Sequence, residues 1–79
     1  MGDSWPAMRG KKVRILIERH CGGPVRQKGS HRRYKSPING ARFTYAYHEG
    51  AEVNGNIVRK ILVEDIGLSV SEAAEEVGK

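Results

Sequence analysis

The sequence predicts an α+β fold, with helices covering one face of a small three-stranded antiparallel sheet, and three observations carry that prediction. Apolar residues recur at helical spacing near both ends of the chain. The middle third alternates at period two between turn signals. Glycine follows each of the two long helical stretches. At 79 residues there is room for one domain over 1–79, with a core over about 9–75. A chain this short buries only about 60% of its unfolded surface, so a groove or open face is the expected working surface.

The first element runs from Arg9 to Cys21. Val13, Leu16, Ile17 and Cys21 fall on one helical stripe, with Lys12, Arg14, Glu18 and Arg19 mostly on the other side. Gly22-Gly23 supplies the usual glycine past a helix end, and Pro24 forbids continuation. Such a helix needs a sheet to cover.

Three extended segments follow. The first is Pro24 to Lys28, the Gly29-Ser30 step is a tight link, and His31 to Lys35 is the second. Ser36-Pro37-Ile38-Asn39-Gly40 is a hairpin signal, because Asn-Gly tolerates the positive φ that such turns require. From Arg42 to Tyr47 aromatic residues alternate with small or polar ones, the pattern of a half-buried strand. If Phe43 and Tyr45 face the helices, Tyr34 and Val25 join them, and His31, Arg33 and Lys35 turn together onto the wet face. Core packing is the expected role of Phe43 and Tyr45, in preference to base stacking.

A loop is expected over His48 to Val53, then a helix over Asn54 to Ile66. Asn54 is its cap, and Ile57, Val58, Ile61, Leu62 and Ile66 are its buried stripe. Gly67 with Leu68 behind it has the form of a glycine C-cap and its apolar clasp. Ser69 and Glu72 match a capping box that opens a short acidic helix through Val77.

Charge is unevenly divided. Residues 1–48 hold eleven Lys or Arg against two acids, whereas residues 49–79 hold three against seven. The basic part favours a phosphate polymer as partner, and the acidic C-terminal third is expected to face away from it. The lone Cys21 excludes an intramolecular disulfide, no apolar run approaches a membrane span, and the first residues lack the apolar core of a secretion signal. A cytoplasmic protein with no membrane contact is expected.

The densest chemistry lies in Arg26-Gln27-Lys28-Gly29-Ser30-His31-Arg32-Arg33-Tyr34-Lys35. Histidine both accepts and donates a proton near neutral pH, and clustered cations hold a polyphosphate against it. His31 is the candidate catalytic group, and Arg26, Lys28, Gly29, Ser30, Arg32, Arg33 and Lys35 are the candidate RNA-binding set. Gly29 permits close backbone approach to a phosphate. His48 is the other candidate for proton transfer. His20 and Cys21 adjoin at a helix end without the spacing of a zinc site, so packing accounts for them and no metal or cofactor is expected. A binding module that grips RNA without chemistry is the competing class, and an interaction subunit is a third. A duplex binder would concentrate cations at the start of its last long helix, where this chain offers only Arg59 and Lys60.

The succession of a first helix, Arg26-Gln27-Lys28-Gly29-Ser30-His31, a hairpin, His48, the helix Asn56-Ile57-Val58-Arg59-Lys60-Ile61-Leu62 and Gly67-Leu68-Ser69 resembles the HicA-type mRNA interferases. These are toxins of type II toxin-antitoxin modules. The likeness covers roughly residues 9–75, and its most specific part is the string ending in Gly29-Ser30-His31. It implies a fold similar to the double-stranded RNA-binding domain, metal-independent cleavage of mRNA with His31 at the catalytic position, and neutralisation by a HicB-type antitoxin. DNA contact would come only indirectly, through an antitoxin complex. Where the family carries an aromatic or aliphatic pair after the first helix, this chain has Gly22-Gly23-Pro24, which predicts a short first strand.

Overall fold

The computed structural model describes residues 4–78, and in them the expected order of helix, three strands, helix and short helix is present. A two-residue strand, β1 (Met8–Arg9), leads into α1 (Gly10–Cys21). Then come β2 (Arg26–Lys28), β3 (His31–Lys35) and β4 (Arg42–Tyr45). After β5 (Glu52–Val53), helix α2 (Gly55–Arg59) continues in a wider π winding over Lys60–Ile66, and α3 (Val70–Glu76) closes the fold. Strands β2, β3 and β4 form an antiparallel meander in that order, while β1 and β5 pair antiparallel as a separate ribbon.

The amphipathic stripe of α1 does what its spacing requires. Val13 and Ile17 are fully buried against Tyr34, Phe43 and Tyr45 of the sheet and against Val58, Ile61, Leu62 and Ile66 of the second helix. Burying each of these side chains contributes about 1.5–3 kcal/mol before entropy is charged against it. The two buried tyrosines keep their hydroxyls satisfied, as buried polar groups must. Tyr34 donates to Glu18 Oε2 at 2.7 Å, and Tyr45 donates to the carbonyl of Gly10 at 2.8 Å. Phe43 and Tyr45 are thus core residues, and Tyr34 stacks on Phe43 with ring centres 5.7 Å apart.

Four details depart from the pattern read along the chain. Val25 does not join the helix face; it is 60% exposed. The break at Gly22-Gly23-Pro24 ends α1 at Cys21 and β2 begins only at Arg26, which leaves Val25 outside the strand. The aromatic strand stops at Tyr45, short of Tyr47. The loop expected over His48 to Val53 ends in β5, because Met8 and Arg9 supply distant partners for Val53 and Glu52. The helix expected to be uniform to Ile66 widens at Lys60. That winding suits a stripe whose buried members Ile61 and Ile66 are five residues apart, the interval of a π turn.

The capping signals are present as expected. Asn54 Oδ1 accepts from the Ile57 N–H at 3.0 Å. Gly67 is left-handed at φ 94° with Leu68 buried behind it, and Ser69 and Glu72 form a reciprocal capping box. One anchor escaped the sequence. Ser36, fully buried at the hairpin, donates to the Ile66 carbonyl at 2.5 Å and accepts from the Ile38 N–H at 3.1 Å. The β3–β4 turn is thereby tied to the end of the second helix.

Candidate functional site

Strand alternation sets the site. Along β3, Tyr34 is buried and Arg32 half-buried on the helix side, while His31, Arg33 and Lys35 are exposed on the other. Along β4, Phe43 and Tyr45 point inward, leaving Arg42 and Thr44 outward. The register places Lys28 opposite His31, Arg26 opposite Arg33, Arg33 opposite Thr44, and Lys35 opposite Arg42. Side chains directly opposed on one face stand about 5 Å apart at Cβ. Among the described residues, these positions on the uncovered face of the sheet therefore carry one histidine, one threonine and five cations, with no carboxylate.

The turn that presents His31 is built by Gly29-Ser30. Gly29 has φ 60°, the left-handed value that a two-residue hairpin with glycine at its first position needs. Gln27 Nε2 donates to the Gly29 carbonyl at 3.1 Å and braces the turn. A shallow depression of about 230 Å³ opens beside it, lined by Arg26, Lys28, His31, Arg33 and Thr44. Within it Arg33 Nη1 donates to Thr44 Oγ1 at 3.2 Å, which fixes the guanidinium plane.

Five of the predicted set, Arg26, Lys28, His31, Arg33 and Lys35, share this face, and the Gly29-Ser30 turn borders it. Arg32 is turned the other way by the period of the strand. His48 does not line the depression. It is exposed in a loop whose carbonyls cap α1, with Gly10 N–H donating to Ala51 at 2.7 Å and Lys11 N–H donating to Glu49 at 3.0 Å. Arg42 and Thr44 were missed, although the period that buries Phe43 and Tyr45 also turns them toward His31.

Elsewhere several cations are engaged. Arg14 grips Glu49 through Nε at 2.9 Å and Nη2 at 3.1 Å, which holds the Glu49 carboxyl below the usual range. Arg59 lies over the Trp5 ring at 5.9 Å, and Lys60 Nζ is 3.5 Å from Asp65. Among the described residues, every ion pair lies off the open sheet face. His20 Nε2 is 2.9 Å from Glu76, a link between α1 and α3, and burial pushes the Cys21 thiol up, away from the reactive thiolate. Packing accounts for both.

A larger hollow of about 370 Å³ lies between α1 and α3, bounded by Met8, Ile15, Leu16 and Val77 with Lys12, Arg19 and Glu76 at its edge. Of its polar groups, Glu76 is committed to both Arg19 and His20. His31, the candidate proton-transfer group, is on the sheet. No helix among the described residues is long and apolar enough to cross a membrane.

A family model described as the HicA toxin of bacterial toxin-antitoxin matches residues 10–68. That span begins with α1, contains the whole three-stranded sheet and ends at the Leu68 clasp. No curated protein and no solved structure matches.

Proposed function

Since the chain belongs to the HicA toxin family and is the toxin of a toxin-antitoxin pair, we propose that it is a metal-independent endoribonuclease that cuts mRNA with His31 and is silenced by a HicB-type antitoxin. The observation that supports this reading is one histidine standing among cations on an open face that, among the described residues, carries no carboxylate. Such a face attracts phosphates and offers no acidic oxygens to hold a divalent ion.

His31 acts as general base or acid in phosphodiester cleavage, a role worth roughly 10²- to 10⁴-fold. Lys28, its opposite neighbour, and Arg26 and Arg33, one step along, place the phosphate and stabilise the charge that develops on it. Gly29 and Ser30 bring the backbone close to that phosphate. The antitoxin must cover the same face and is expected to do so with acidic residues.

The test compares wild type with His31→Ala on EDTA-treated single-stranded RNA, read on a denaturing gel, with affinity measured in parallel. Cutting by wild type alone, with affinity nearly equal in the two proteins, is the expected result. Intact RNA in both lanes with a gel shift in both would leave an RNA-binding module without catalysis. An equal fall in affinity and cutting would assign His31 to binding.

A further inference from the structure

We propose that the open sheet face is a one-sided track of three phosphate stations, the cleaved phosphate lying at its end, so that the RNA strand is gripped on one side of the cut only. The inference rests on the ribonuclease reading and adds the direction and length of the grip. It follows from register. Lys28 and His31 form the first row, Arg26, Arg33 and Thr44 the second, and Lys35 and Arg42 the third.

Successive rows are two residues apart along β3, roughly 6–7 Å at the rise of a strand. That is comparable with the separation of successive phosphorus atoms in an extended ribonucleotide strand. Every row presents at least one cation, and the middle one is preorganised by the hydrogen bond from Arg33 to Thr44. The face is also interrupted at one end. Beyond His31 lies the Gly29-Ser30 turn, and β4 stops at Tyr45, opposite Arg32. The row that holds the histidine is therefore the last row of the sheet, and the cations extend away from it in a single direction.

The experiment has a binding arm and a cutting arm. Uncleavable 2′-O-methyl oligonucleotides carrying one, three or five phosphates are titrated by fluorescence anisotropy over a salt series. The salt slope is expected to rise from one phosphate to three and then stop. Arg33→Ala and the double variant Lys35→Ala/Arg42→Ala should each lower it by about 0.7, the contribution of one phosphate on a single strand. Lys11→Ala/Lys12→Ala removes two charges from exposed positions of α1 and should leave it unchanged. In the cutting arm, one neutral methylphosphonate is moved stepwise past the cleavage point. Two consecutive positions on one side should slow cutting about three- to tenfold, the scale of an exposed charge-assisted contact, and the other side should be indifferent.

A slope that keeps rising to five phosphates, an equal loss from the α1 variant, or symmetric slowing overturns the track. Wild type that binds with the three-phosphate slope but cuts nothing removes the ribonuclease reading and leaves the track standing. Cutting with a slope indifferent to both sheet variants does the reverse.

Discussion

Two glycines show how one residue can matter by quite different physics. At Gly29 there is open space around the position of a Cβ, so only the backbone objects to a side chain, through its φ of 60°. Gly29→Ala is expected to cost about 1–2 kcal/mol in backbone strain, confined to the turn that presents His31. Cleavage should fall severalfold per folded molecule while the thermal midpoint moves only a few degrees. At Gly10 a Cβ would collide with the carbonyl of His48, in the loop that caps α1. Gly10→Ala should therefore destabilise the whole domain by about 1–3 kcal/mol, as overpacking does, seen as a lower urea midpoint, and leave activity per folded molecule unchanged. The role of Gly29 is legible along the chain because it sits between two period-two segments. That of Gly10 is not, because the atom it makes room for comes from a distant loop. Arg32 teaches the same lesson at the site: composition put it among the binding cations, and strand alternation turned it inward.

Elements whose signals are local were legible, and elements made by distant partners were not. The cap at Asn54, the glycine stop at Gly67 and the capping box at Ser69 all act within a few residues, and each is present. The β1–β5 ribbon and the burial of Ser36 depend on segments far apart in sequence, which no local pattern announces. The capping box carries a prediction of its own. The Ser69 backbone N–H and hydroxyl hold the Glu72 carboxyl below its ordinary value of 4.5, as Arg14 does for Glu49. A carboxylate whose folded value is depressed adds stability above its unfolded value and loses it as pH falls through the folded one. The domain should therefore weaken on acidification below about pH 4.5, and Glu49→Gln and Glu72→Gln should each flatten that fall in urea midpoints measured across the acid range. Ser69→Ala should cost about 1 kcal/mol at neutral pH, the usual loss of an N-cap. An unchanged midpoint in that variant would mean that α3 is held by Ala73 and the Glu76 pairs alone.

At the scale of the whole molecule the fold separates charge by layer. The core tyrosines join the layers, and burial pushes Tyr45 up to about 12, with Tyr34 raised further by burial and the Glu18 carboxylate. A tyrosine raised above its unfolded value of 10 contributes stability that is complete below pH 10 and is lost as pH climbs toward 12. Tyr45→Phe should remove part of that alkaline fall, along with the hydrogen bond to Gly10. Outside the core, the acids of α3 lie on the helix side, with Glu76 tied to α1, while the cations of the sheet face make no ion pair among the described residues. An antitoxin that covers this face must bring negative charge to it, and charges at exposed surfaces are screened beyond about 10 Å at 0.1 M salt. Association with the proposed antitoxin should therefore slow steeply as ionic strength rises, because steering acts on encounter more than on the docked complex. Arg33→Ala and Lys28→Ala should lower the rate at low salt and make it less salt-sensitive. His31→Ala, which keeps every Lys and Arg of the face, should leave it nearly as found. Stopped-flow measurements across a salt series separate this from the alternative: a rate indifferent to salt and to both substitutions would move the contact to the apolar hollow beside Ile15, which is 43% exposed, and His31 would then be silenced from behind the sheet.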